Sequence, residues 1–313
     1  MNSLLLIDGN NLFHRAYHAL PPLTDKTGQN ANAVFGFSNM LIKAVNEVKP
    51  TYVACAFDTA APTFRHIEFE KYKAQRPAPP PDLYPQLPKV KSVLDAFGIP
   101  YFTKEGYEAD DLLATIATAA RKKKIVTTIL SGDRDVLQIV DGDIKVQMPG
   151  WNLTTTTLYG RKEVIEKFGI EPRQMVDYKS LIGDTSDNVP GIAGIGPKTA
   201  SDLLQKYDNL ETVFERLDEI SPKVADKLRT GRDLALAAKS LVELDCDVDL
   251  EFKIEDLRFN PDWELVRAEY EKLGFKSIAS KISGGRVTEE TFSSAEASED
   301  KKDEEKGDQL ELI

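Results

Sequence analysis

The stretch Tyr107-Glu108-Ala109-Asp110-Asp111-Leu112-Leu113-Ala114 places three carboxylates in one turn, directly ahead of an apolar run with helical spacing. Glu108 and Asp111 are three positions apart, so a helix places them on the same face. Acids in the first turn of a helix often do no more than stabilise the helix dipole. Whether these acids have a further function depends on where the rest of the chain places its other carboxylates.

Three short apolar runs, each typical of a buried strand, are followed by an aspartate. The runs are Ser3–Ile7, Tyr52–Phe57 and Ile125–Leu130, and the aspartates are Asp8, Asp58 and Asp133. Strands that alternate with helical segments predict an α/β fold with a mostly parallel central sheet flanked by helices. In such sheets ligands bind outside the carboxyl ends of the strands. We therefore expect these aspartates and the start of the Glu108 helix to lie at one edge of the sheet.

Carboxylates gathered at one edge repel each other, by roughly 3 kcal/mol for a pair ~5 Å apart at an effective dielectric of about 20. A fold accommodates this repulsion only where cations offset it, and carboxylate oxygens with few histidines favour Mg²⁺ or Mn²⁺. The sequence thus predicts a divalent-metal site, to which later acids such as Asp184 and Asp187 can contribute. Zinc is disfavoured, because His14 and His18 have a ligand-like spacing but no suitable third ligand nearby.

Composition and charge exclude several classes of protein. With 313 residues, 41% hydrophobic and 29% charged, the chain is typical of a soluble protein of about two domains. We find neither a signal peptide nor a run of membrane length, so we expect a cytoplasmic protein without a membrane partner. The net charge is −11, but residues 287–313 carry ten acidic and three basic side chains. Negative charge is therefore concentrated in the tail and in the predicted metal site.

Between Asp58 and the Glu108 helix the composition of the chain changes, and charged residues and then prolines predominate. Phe64–Gln75 has helical spacing and many charges, and a proline-rich segment follows it up to residue 88. One interpretation is an exposed helix with a stiff proline connector, which composition alone favours. The other is a mobile cover that offers Tyr72, Lys73 and Arg76 to a polyanion.

A glycine-rich segment, Gly191-Ile192-Ala193-Gly194-Ile195-Gly196-Pro197-Lys198-Thr199-Ala200, precedes a predicted helix at Ser201–Tyr207. Pro197 breaks the spacing of a P-loop, so we reject ATP binding. The glycines allow close backbone approach, and amides at the start of the second helix can face a phosphate. Such a hairpin binds a DNA backbone without reading its sequence. A tight turn between two helices needs the same geometry, so both interpretations stay open.

In their order and spacing, the motifs of this chain resemble those of the 5′-nuclease family, which includes flap endonucleases and the 5′→3′ exonuclease domain of bacterial DNA polymerase I. The resemblance covers about residues 3–282 and is strongest to the polymerase I domain. It rests on LLLIDGNN (4–11) with Arg15, AFD (56–58), FEKYKAQR (69–76), EADD (108–111), SGDRD (131–135), GDTSDN (183–188) and GIAGIGPKTA (191–200).

The resemblance implies how the chain is divided. An α/β nuclease domain would span residues 1–175, with an arch or clamp at about 64–88. A helical DNA-binding subdomain would span 176–283 and contain a helix–hairpin–helix at about 180–207. Residues 284–313 would be an acidic disordered tail or linker, which is the composition expected of a disordered segment.

The resemblance also implies a role for each matching residue. The acids Asp8, Asp58, Glu108, Asp110 and Asp111 would hold an inner metal ion directly or through water, and Asp133, Asp135, Asp184 and Asp187 would hold a second. The implied catalytic side chains, which engage the 5′ region of the substrate and the scissile phosphate, are Arg15, Tyr72, Lys73 and Arg76. The residues implied to hold duplex DNA and, as in relatives, a K⁺ ion are Gly191, Gly194, Gly196, Lys198 and Thr199.

The implied activity is that of a structure-specific 5′→3′ exonuclease and flap endonuclease with two Mg²⁺ or Mn²⁺ ions, acting in removal of RNA primers from Okazaki fragments and in DNA repair. Its partners would be DNA with 5′ flaps, nicks or 5′ ends, RNA primers in RNA–DNA hybrids and, in a longer protein, a polymerase domain. We expect a monomer associated with the nucleoid. The sequence is compatible with a stand-alone nuclease and with a fragment of a longer protein.

Two other classes of protein are considered. A non-catalytic DNA-junction binder with the same fold is disfavoured because all nine implied metal ligands are present. A phosphatase with an aspartate nucleophile would need a second aspartate two residues after Asp8, where this chain has Asn10. That class would also leave the glycine-rich hairpin unexplained.

Overall fold

Six strands form one sheet in the computed structural model, which describes residues 2–153, 155–283 and 286–287. The strands are β1 (Ser3–Asp8), β2 (Tyr52–Ala56), β3 (Tyr101–Phe102), β4 (Val126–Leu130), β5 (Ile144–Pro149) and β6 (Thr156–Tyr159). Their order in the sheet is β3-β2-β1-β4-β5-β6. The pairs from β3 to β5 are parallel, and β6 pairs with β5 in antiparallel orientation. This confirms the expected α/β fold with a mostly parallel sheet.

The helices of the described residues lie between the strands of the first part of the chain, and after β6 they follow one another without a strand until Ile282. They are α1 (Gly9–Ala19), α2 (Asn32–Val48), α3 (Phe64–Glu68), α4 (Leu87–Ala96), α5 (Ala109–Lys122), α6 (Arg161–Phe168), α7 (Met175–Ile182), α8 (Pro197–Tyr207), α9 (Leu210–Glu215), α10 (Pro222–Val242), α11 (Trp263–Leu273) and α12 (Lys276–Ala279). A small hairpin follows, with β7 at Ile282–Ser283 and β8 at Arg286–Val287. No helix in the described part of the chain has the length and hydropathy needed to span a membrane.

The sheet is buried on both faces, which explains the continuous apolar runs of its central strands. Leu5 and Ile7 of β1 belong to a core cluster that also contains buried residues of α1, α2, α4 and α11. Leu4 and Leu6, which alternate with them, are equally buried. Helix α5 packs on β1, β2 and β4. The carboxyl ends of β1, β2 and β4 are therefore held in a rigid frame.

Three segments differ from the sequence prediction. Residues 69–75, which we expected to be helical, form successive turns after α3 ends at Glu68, and Lys73 has a left-handed φ of 54° that interrupts a helix. The threonine-rich segment after β5 includes strand β6, which has no continuous apolar run to predict it. Helix α8 begins at Pro197 rather than Ser201, because proline lacks only an N–H that has no partner inside the first helical turn.

The described residues divide into two compact units. The first lies within Met1–Phe64, Ala78–Met175 and Leu244–Thr288, and the second within Arg65–Pro77 and Val176–Glu243. Residues 244–283, which we expected in the helical subdomain, thus belong to the first unit, where Tyr270 of α11 and Ile278 of α12 are buried in its core cluster. The expected acidic tail lies outside the described residues, apart from the two residues of β8.

Candidate functional site

The carboxyl ends of β1 and β4 meet in one hydrogen-bonded group. Oδ1 of Asp8 accepts from the backbone N–H of Asn11 (3.0 Å), which caps α1, and Oδ2 accepts from the hydroxyl of Ser131 (2.6 Å). The Ser131 oxygen in turn accepts from the N–H of Asp133 (3.0 Å), and the N–H of Gly132 donates to the Asn11 side chain (2.8 Å). The structure therefore brings Asp8 and Asp133 to the same edge of the sheet.

Asp8 is 5% exposed, so its carboxylate is held away from bulk solvent. Burial raises the pKa of Asp8 to about 7, although the hydrogen bonds from Ser131 and Asn11 oppose the shift. The carboxylates of Asp58 and Asp133 add to the rise by repulsion. The register of the sheet, which pairs Asp8 with Ala56 and Ile7 with Leu130, places the acids after β1, β2 and β4 at the same edge, where like charges act on Asp8.

The start of α5 joins this edge through Asp58 and Asp111. Oδ1 of Asp58 accepts from the N–H of Ala109 (2.7 Å), the first residue of α5. Oδ2 of Asp111 accepts from the N–H of Glu108 (3.0 Å), and Oδ1 accepts from the N–H of Asp245 (2.9 Å). Asp111 is fully buried, so both of its oxygens are used to fix the start of α5 and the segment that follows α10.

The remaining predicted ligands of the first unit lie next to these acids. Asp110 accepts from the N–H of Asp111 (2.8 Å), and Oδ1 of Asp133 accepts from the N–H of Asp135 (2.8 Å). Within the residues that the structure describes, no three His, Cys, Asp or Glu side chains converge as ligands of a single metal ion. Several of these carboxylate oxygens instead accept hydrogen bonds from protein N–H and hydroxyl donors.

Arg15 lies beside the same group of acids. It is half-buried on α1, and its Nε donates to the carbonyl of Gly150 (3.4 Å) in the turn after β5. A Cβ on Gly132 would lie 3.1 Å from a terminal nitrogen of Arg15 and 2.8 Å from the amide oxygen of Asn11. Burial lowers the pKa of Arg15 from its usual value. A cation at the acidic edge is the arrangement that the predicted phosphate contact requires.

Asp184 and Asp187, the other two predicted ligands, lie in the second unit. Oδ2 of Asp184 accepts from the ammonium of Lys179 (2.7 Å), and Oδ1 accepts from the N–H and the hydroxyl of Ser186. Burial raises the pKa of Asp184, but the charge and hydrogen bond of Lys179 and the contacts from Ser186 outweigh burial and hold the pKa at about 2. This carboxylate is therefore ionised at neutral pH.

Three predicted catalytic side chains meet on Asp187. The hydroxyl of Tyr72 donates to Oδ2 (3.2 Å), and the guanidinium of Arg76 donates to Oδ1 (2.6 Å). The ammonium of Lys73 lies 3.8 Å from Oδ2, and the N–H of Lys73 donates to the Asp187 carbonyl (3.0 Å). The segment 69–76 is thus fastened to the loop between α7 and α8. Arg15, the fourth predicted catalytic residue, belongs to the first unit.

The glycine-rich hairpin connects α7 to α8. A Cβ on Gly191 would lie 2.1 Å from the carbonyl carbon of Ile182, so close backbone approach requires glycine there. Gly194 has a φ of +78°, and its carbonyl accepts from Lys227 (2.7 Å). Gly196 has open space around it and caps α8. Lys198 is exposed and Thr199 half-buried in the first turn of α8, where helix N–H groups bind anions.

Sequence reasoning missed the residues that position the acids. Ser131 and Asn11 hold Asp8, and Lys179 holds Asp184. A serine directly after β4 is an available signal, because short polar side chains at such places bind local backbone groups. Asn11 contacts Asp8 through its backbone N–H, so its side chain gives no signal for this contact. The contact between Lys179 and Asp184 spans a helix end and gives no comparable pattern in the sequence.

The chain has a mostly parallel sheet with acids at its carboxyl edge, followed by helices joined by a glycine hairpin, and it belongs to the 5′-3′ exonuclease family of nucleases. The model of the family's N-terminal resolvase-like domain matches residues 3–169. The model of its C-terminal SAM fold matches residues 170–264. These matches confirm the resemblance drawn from the motifs.

Among curated relatives, the chain is similar to DNA polymerase I of Caldicellulosiruptor bescii, with 40% identity over 294 residues, and of Bacillus subtilis, with 38% over 281. These alignments cover 92% and 89% of this chain. They cover 34% and 32% of the two polymerases, so the chain spans about a third of the length of these relatives.

Two groups of solved structures share the fold. The T5 D15 protein co-crystallised with metal ions matches with a TM-score of 0.65 at 20% identity, over 79% of this chain and 90% of that one. The catalytic core of Rad2 in complex with a DNA substrate matches with a TM-score of 0.58 at 15% identity, over 87% of both chains. At such identities the likeness establishes the fold.

Proposed function

We propose that this chain is a divalent-metal-dependent 5′-nuclease that hydrolyses DNA phosphodiesters at 5′ ends and flaps. The observation that carries the proposal is the meeting of Asp8, Asp58 and Asp133 at one edge of the sheet, with Arg15 beside them. Membership of the 5′-3′ exonuclease family supports the reaction. The related T5 D15 protein with metal ions and the Rad2 core with a DNA substrate support the cofactor and the substrate.

The donor chemistry of the acidic edge fits Mg²⁺ or Mn²⁺. Its side-chain donors are carboxylate oxygens, and their mutual repulsion at Asp8 is what a cation would relieve. Mg²⁺ keeps several waters and is held through one or two carboxylates plus substrate phosphates, so three converging acids are not required. The residues that would hold the ions are Asp8, Asp58, Glu108, Asp110, Asp111, Asp133, Asp135, Asp184 and Asp187. When bound, such ions activate water and stabilise the charge that develops on a phosphodiester during hydrolysis.

The side chains of this chain have distinct roles in the proposed reaction. Ser131 and the N–H of Asn11 orient the Asp8 carboxylate, and Asp111 fixes the start of α5 that carries Glu108 and Asp110. The guanidinium of Arg15 presents positive charge to a phosphate at the same edge. None of these contacts involves a nucleobase, so cleavage would depend on the structure of the DNA and not on its sequence.

The second unit would supply substrate contacts of two kinds. Tyr72, Lys73 and Arg76 would engage the 5′ region and the scissile phosphate. The hairpin, with Gly191, Gly194, Gly196, Lys198 and Thr199, would hold the backbone of duplex DNA, together with a K⁺ ion. Because phosphate contacts dominate such binding, affinity would fall steeply as the salt concentration rises.

We further propose the cellular setting that follows from this activity. The nuclease would act in the cytoplasm on nucleoid DNA, in repair and in removal of RNA primers from Okazaki fragments, where it would also accept RNA–DNA hybrids. Its similarity to the polymerase I proteins supports an association with a DNA polymerase domain. The protein would act as a monomer.

A cleavage assay tests the proposal. Flap, nicked and blunt DNA labelled at the 5′ end are incubated with Mg²⁺ or with EDTA, and we expect cleavage of the flap and nicked DNA in Mg²⁺ alone. Asp133→Asn should abolish cleavage while flap binding in a gel shift is retained, because the fold and the phosphate contacts persist. The control is Glu255→Gln, an exposed acid paired with Lys123, which should cleave normally. Cleavage in EDTA, or retained turnover in Asp133→Asn, would contradict the proposal.

A non-catalytic junction-binding protein is the second candidate. The observation that favours it is that both carboxylate oxygens of Asp8 and of Asp111 accept hydrogen bonds from protein donors. This candidate predicts binding of flap DNA in the same gel shift with no cleavage in Mg²⁺ or Mn²⁺.

A further inference from the structure

The two tryptophans of the chain have opposite environments. Trp263 is partly buried against the core of the first unit, where it packs edge-on on Phe97 with ring centroids 5.9 Å apart. Trp151, in the turn between β5 and β6, is 69% exposed. A single exposed apolar residue is common on protein surfaces. The significance of Trp151 therefore depends on how its turn is built and on what lies beside it.

Hydrogen bonds link the described residues of this turn and leave the side chain of Trp151 at the surface. The N–H of Gly150 donates to the carbonyl of Thr155 (2.8 Å), and the N–H of Leu153 donates to the carbonyl of Gly150 (3.1 Å). Both the N–H and the hydroxyl of Thr155 donate to the side chain of Asn152 (3.3 and 3.2 Å). Leu153 is buried in the core cluster and anchors the turn from within. A pre-ordered turn lowers the entropy cost of binding through its exposed side chain.

The same turn is tied to the acidic edge. The carbonyl of Gly150, directly before Trp151, accepts from Nε of Arg15 (3.4 Å). Arg15 in turn lies against Gly132, in the turn that follows β4 and carries Asp133. The exposed indole thus directly follows a residue whose carbonyl accepts from Arg15, beside the candidate site. A cation for the phosphate and an aromatic face for the base are the two groups with which proteins bind single-stranded nucleic acid.

We propose that Trp151 is a stacking platform for an unpaired nucleobase of the substrate, in the nucleotide next to the phosphate that Arg15 binds. The inference rests on the proposed function for its substrate class, which is nucleic acid, but not on catalysis. Stacking accepts any base, because every base has a π-face. Trp151 therefore adds affinity for single-stranded flaps and leaves binding of fully paired DNA unchanged.

Fluorescence gives a direct test, because Trp263→Phe leaves Trp151 as the sole tryptophan of the chain. This variant is titrated in EDTA, which prevents cleavage, with DNA carrying a single-stranded 5′ flap and with a blunt duplex of the same sequence. Stacking of a base on the indole should quench its emission with the flap DNA and not with the duplex. Equal quenching by both DNAs, or none by either, overturns the proposal.

Substitution of Trp151 in the otherwise unchanged chain gives a second readout. Trp151→Ala and Trp151→Leu should each raise the Kd for flap DNA about tenfold, because the stacked base loses its aromatic platform. Trp151→Phe, which keeps an aromatic face, should retain most of the affinity. All three should bind the blunt duplex as the parent protein does, and their melting temperatures check that they fold.

The outcomes separate this proposal from the proposed function. Unchanged flap affinity in the alanine and leucine variants, with cleavage retained, overturns the stacking role alone. Failure of the parent protein to bind or cleave any flap overturns the proposed function. Loss of self-association in Trp151→Ala, measured by sedimentation with flap affinity unchanged, assigns the indole to a protein interface and overturns the proposal.

Discussion

Asp187 is the residue on which Tyr72, Lys73 and Arg76 meet, and the three contacts differ in length. The guanidinium of Arg76 is 2.6 Å from the carboxylate, whereas the ammonium of Lys73 is 3.8 Å away. A buried carboxylate is costly unless it is paired, and Arg76 supplies the shorter of the two charged contacts. If the ammonium of Lys73 moves to a phosphate, Asp187 therefore keeps its shorter charged contact with Arg76.

Lys73→Ala should slow single-turnover cleavage of flap DNA by about a hundredfold, as loss of a group that stabilises developing charge does in other enzymes. Binding of the same DNA should change far less, because many phosphate contacts remain. The matched control is Lys71→Ala, an exposed lysine two residues away, which should cleave at the normal rate. An unchanged rate in Lys73→Ala would remove Lys73 from the reaction.

The burial of Arg65 differs from the exposure that composition predicts for it. We expected it on an exposed charged helix, yet it is 1% exposed. Its guanidinium donates to the carbonyls of Leu241 (2.9 Å) and Glu243 (2.8 Å), at the end of α10. The last carbonyls of a helix lack partners within the helix, and a cation there also complements the helix dipole.

Arg65→Met should therefore lower the free energy of unfolding by roughly 2–4 kcal/mol, because it removes the guanidinium donor from the buried carbonyl of Leu241 and the part-buried carbonyl of Glu243. Urea denaturation monitored by circular dichroism measures the change. Arg229→Met, which removes a half-exposed arginine from surface ion pairs, is the control and should cost no more than about 1 kcal/mol. Equal losses in the two variants would mean that the buried contacts contribute little.

At the scale of elements, the α7–α8 hairpin offers a comparison of two glycines. Gly191→Ala would drive a methyl group into the backbone of Ile182, whereas Gly196→Ala meets open space. We expect Gly191→Ala to lower the free energy of unfolding by about 1–3 kcal/mol and Gly196→Ala to lower it by clearly less. Urea midpoints compare the two variants directly, and similar midpoints would show that the hairpin does not depend on close backbone approach.

The loop between α1 and α2 depends on the charge of Asp25. Its carboxylate accepts from the N–H groups of Thr27 and Gln29 and from the ammonium of Lys89 (2.6 Å) on α4. Burial raises the pKa of Asp25, but the hydrogen bonds from Lys89 and Thr27 outweigh burial and hold the pKa well below its usual range. The folded state therefore favours the ionised form.

Because the pKa of Asp25 is lower in the folded state than in the unfolded state, its contribution to stability is fully present above the unfolded pKa of about 4 and is lost as the pH falls. Asp25→Asn should thus destabilise the protein at pH 7, and the difference from the parent protein should shrink below about pH 4. Urea denaturation at several pH values measures this difference. A difference that grows on acidification would contradict the sign of the shift.

Elements whose pattern is local could be predicted from the sequence, and elements that depend on distant contacts could not. Apolar runs ending in Asp8, Asp58 and Asp133 predicted the parallel strands and the shared edge, because both faces of such strands are buried. Strand β6 was missed, since its threonines form a half-exposed edge strand without a continuous apolar run. The partner of Asp187 could not be predicted, because segment 69–76 and the loop after α7 are far apart in the sequence.

At the scale of the whole molecule, two compact units carry different parts of the proposed function. The first holds the sheet, the acidic edge and Trp151, and the second holds the segment 65–77 and the glycine hairpin. The packing of α11 and α12 in the core of the first unit means that its stability draws on residues far along the chain. This long-range packing explains why a division by sequence order alone placed residues 244–283 in the helical subdomain.

The most direct test of the account is where a divalent metal ion binds. Crystals soaked in Mn²⁺ should show an anomalous difference peak at the carboxyl edge of β1, β2 and β4, roughly 2.0–2.3 Å from carboxylate oxygens of the group formed by Asp8, Asp58 and Asp133. In the double variant Asp58→Asn with Asp133→Asn the peak should be lost while the fold is kept. Mn²⁺ bound only elsewhere, with these carboxylates still directed at protein donors alone, would contradict the account.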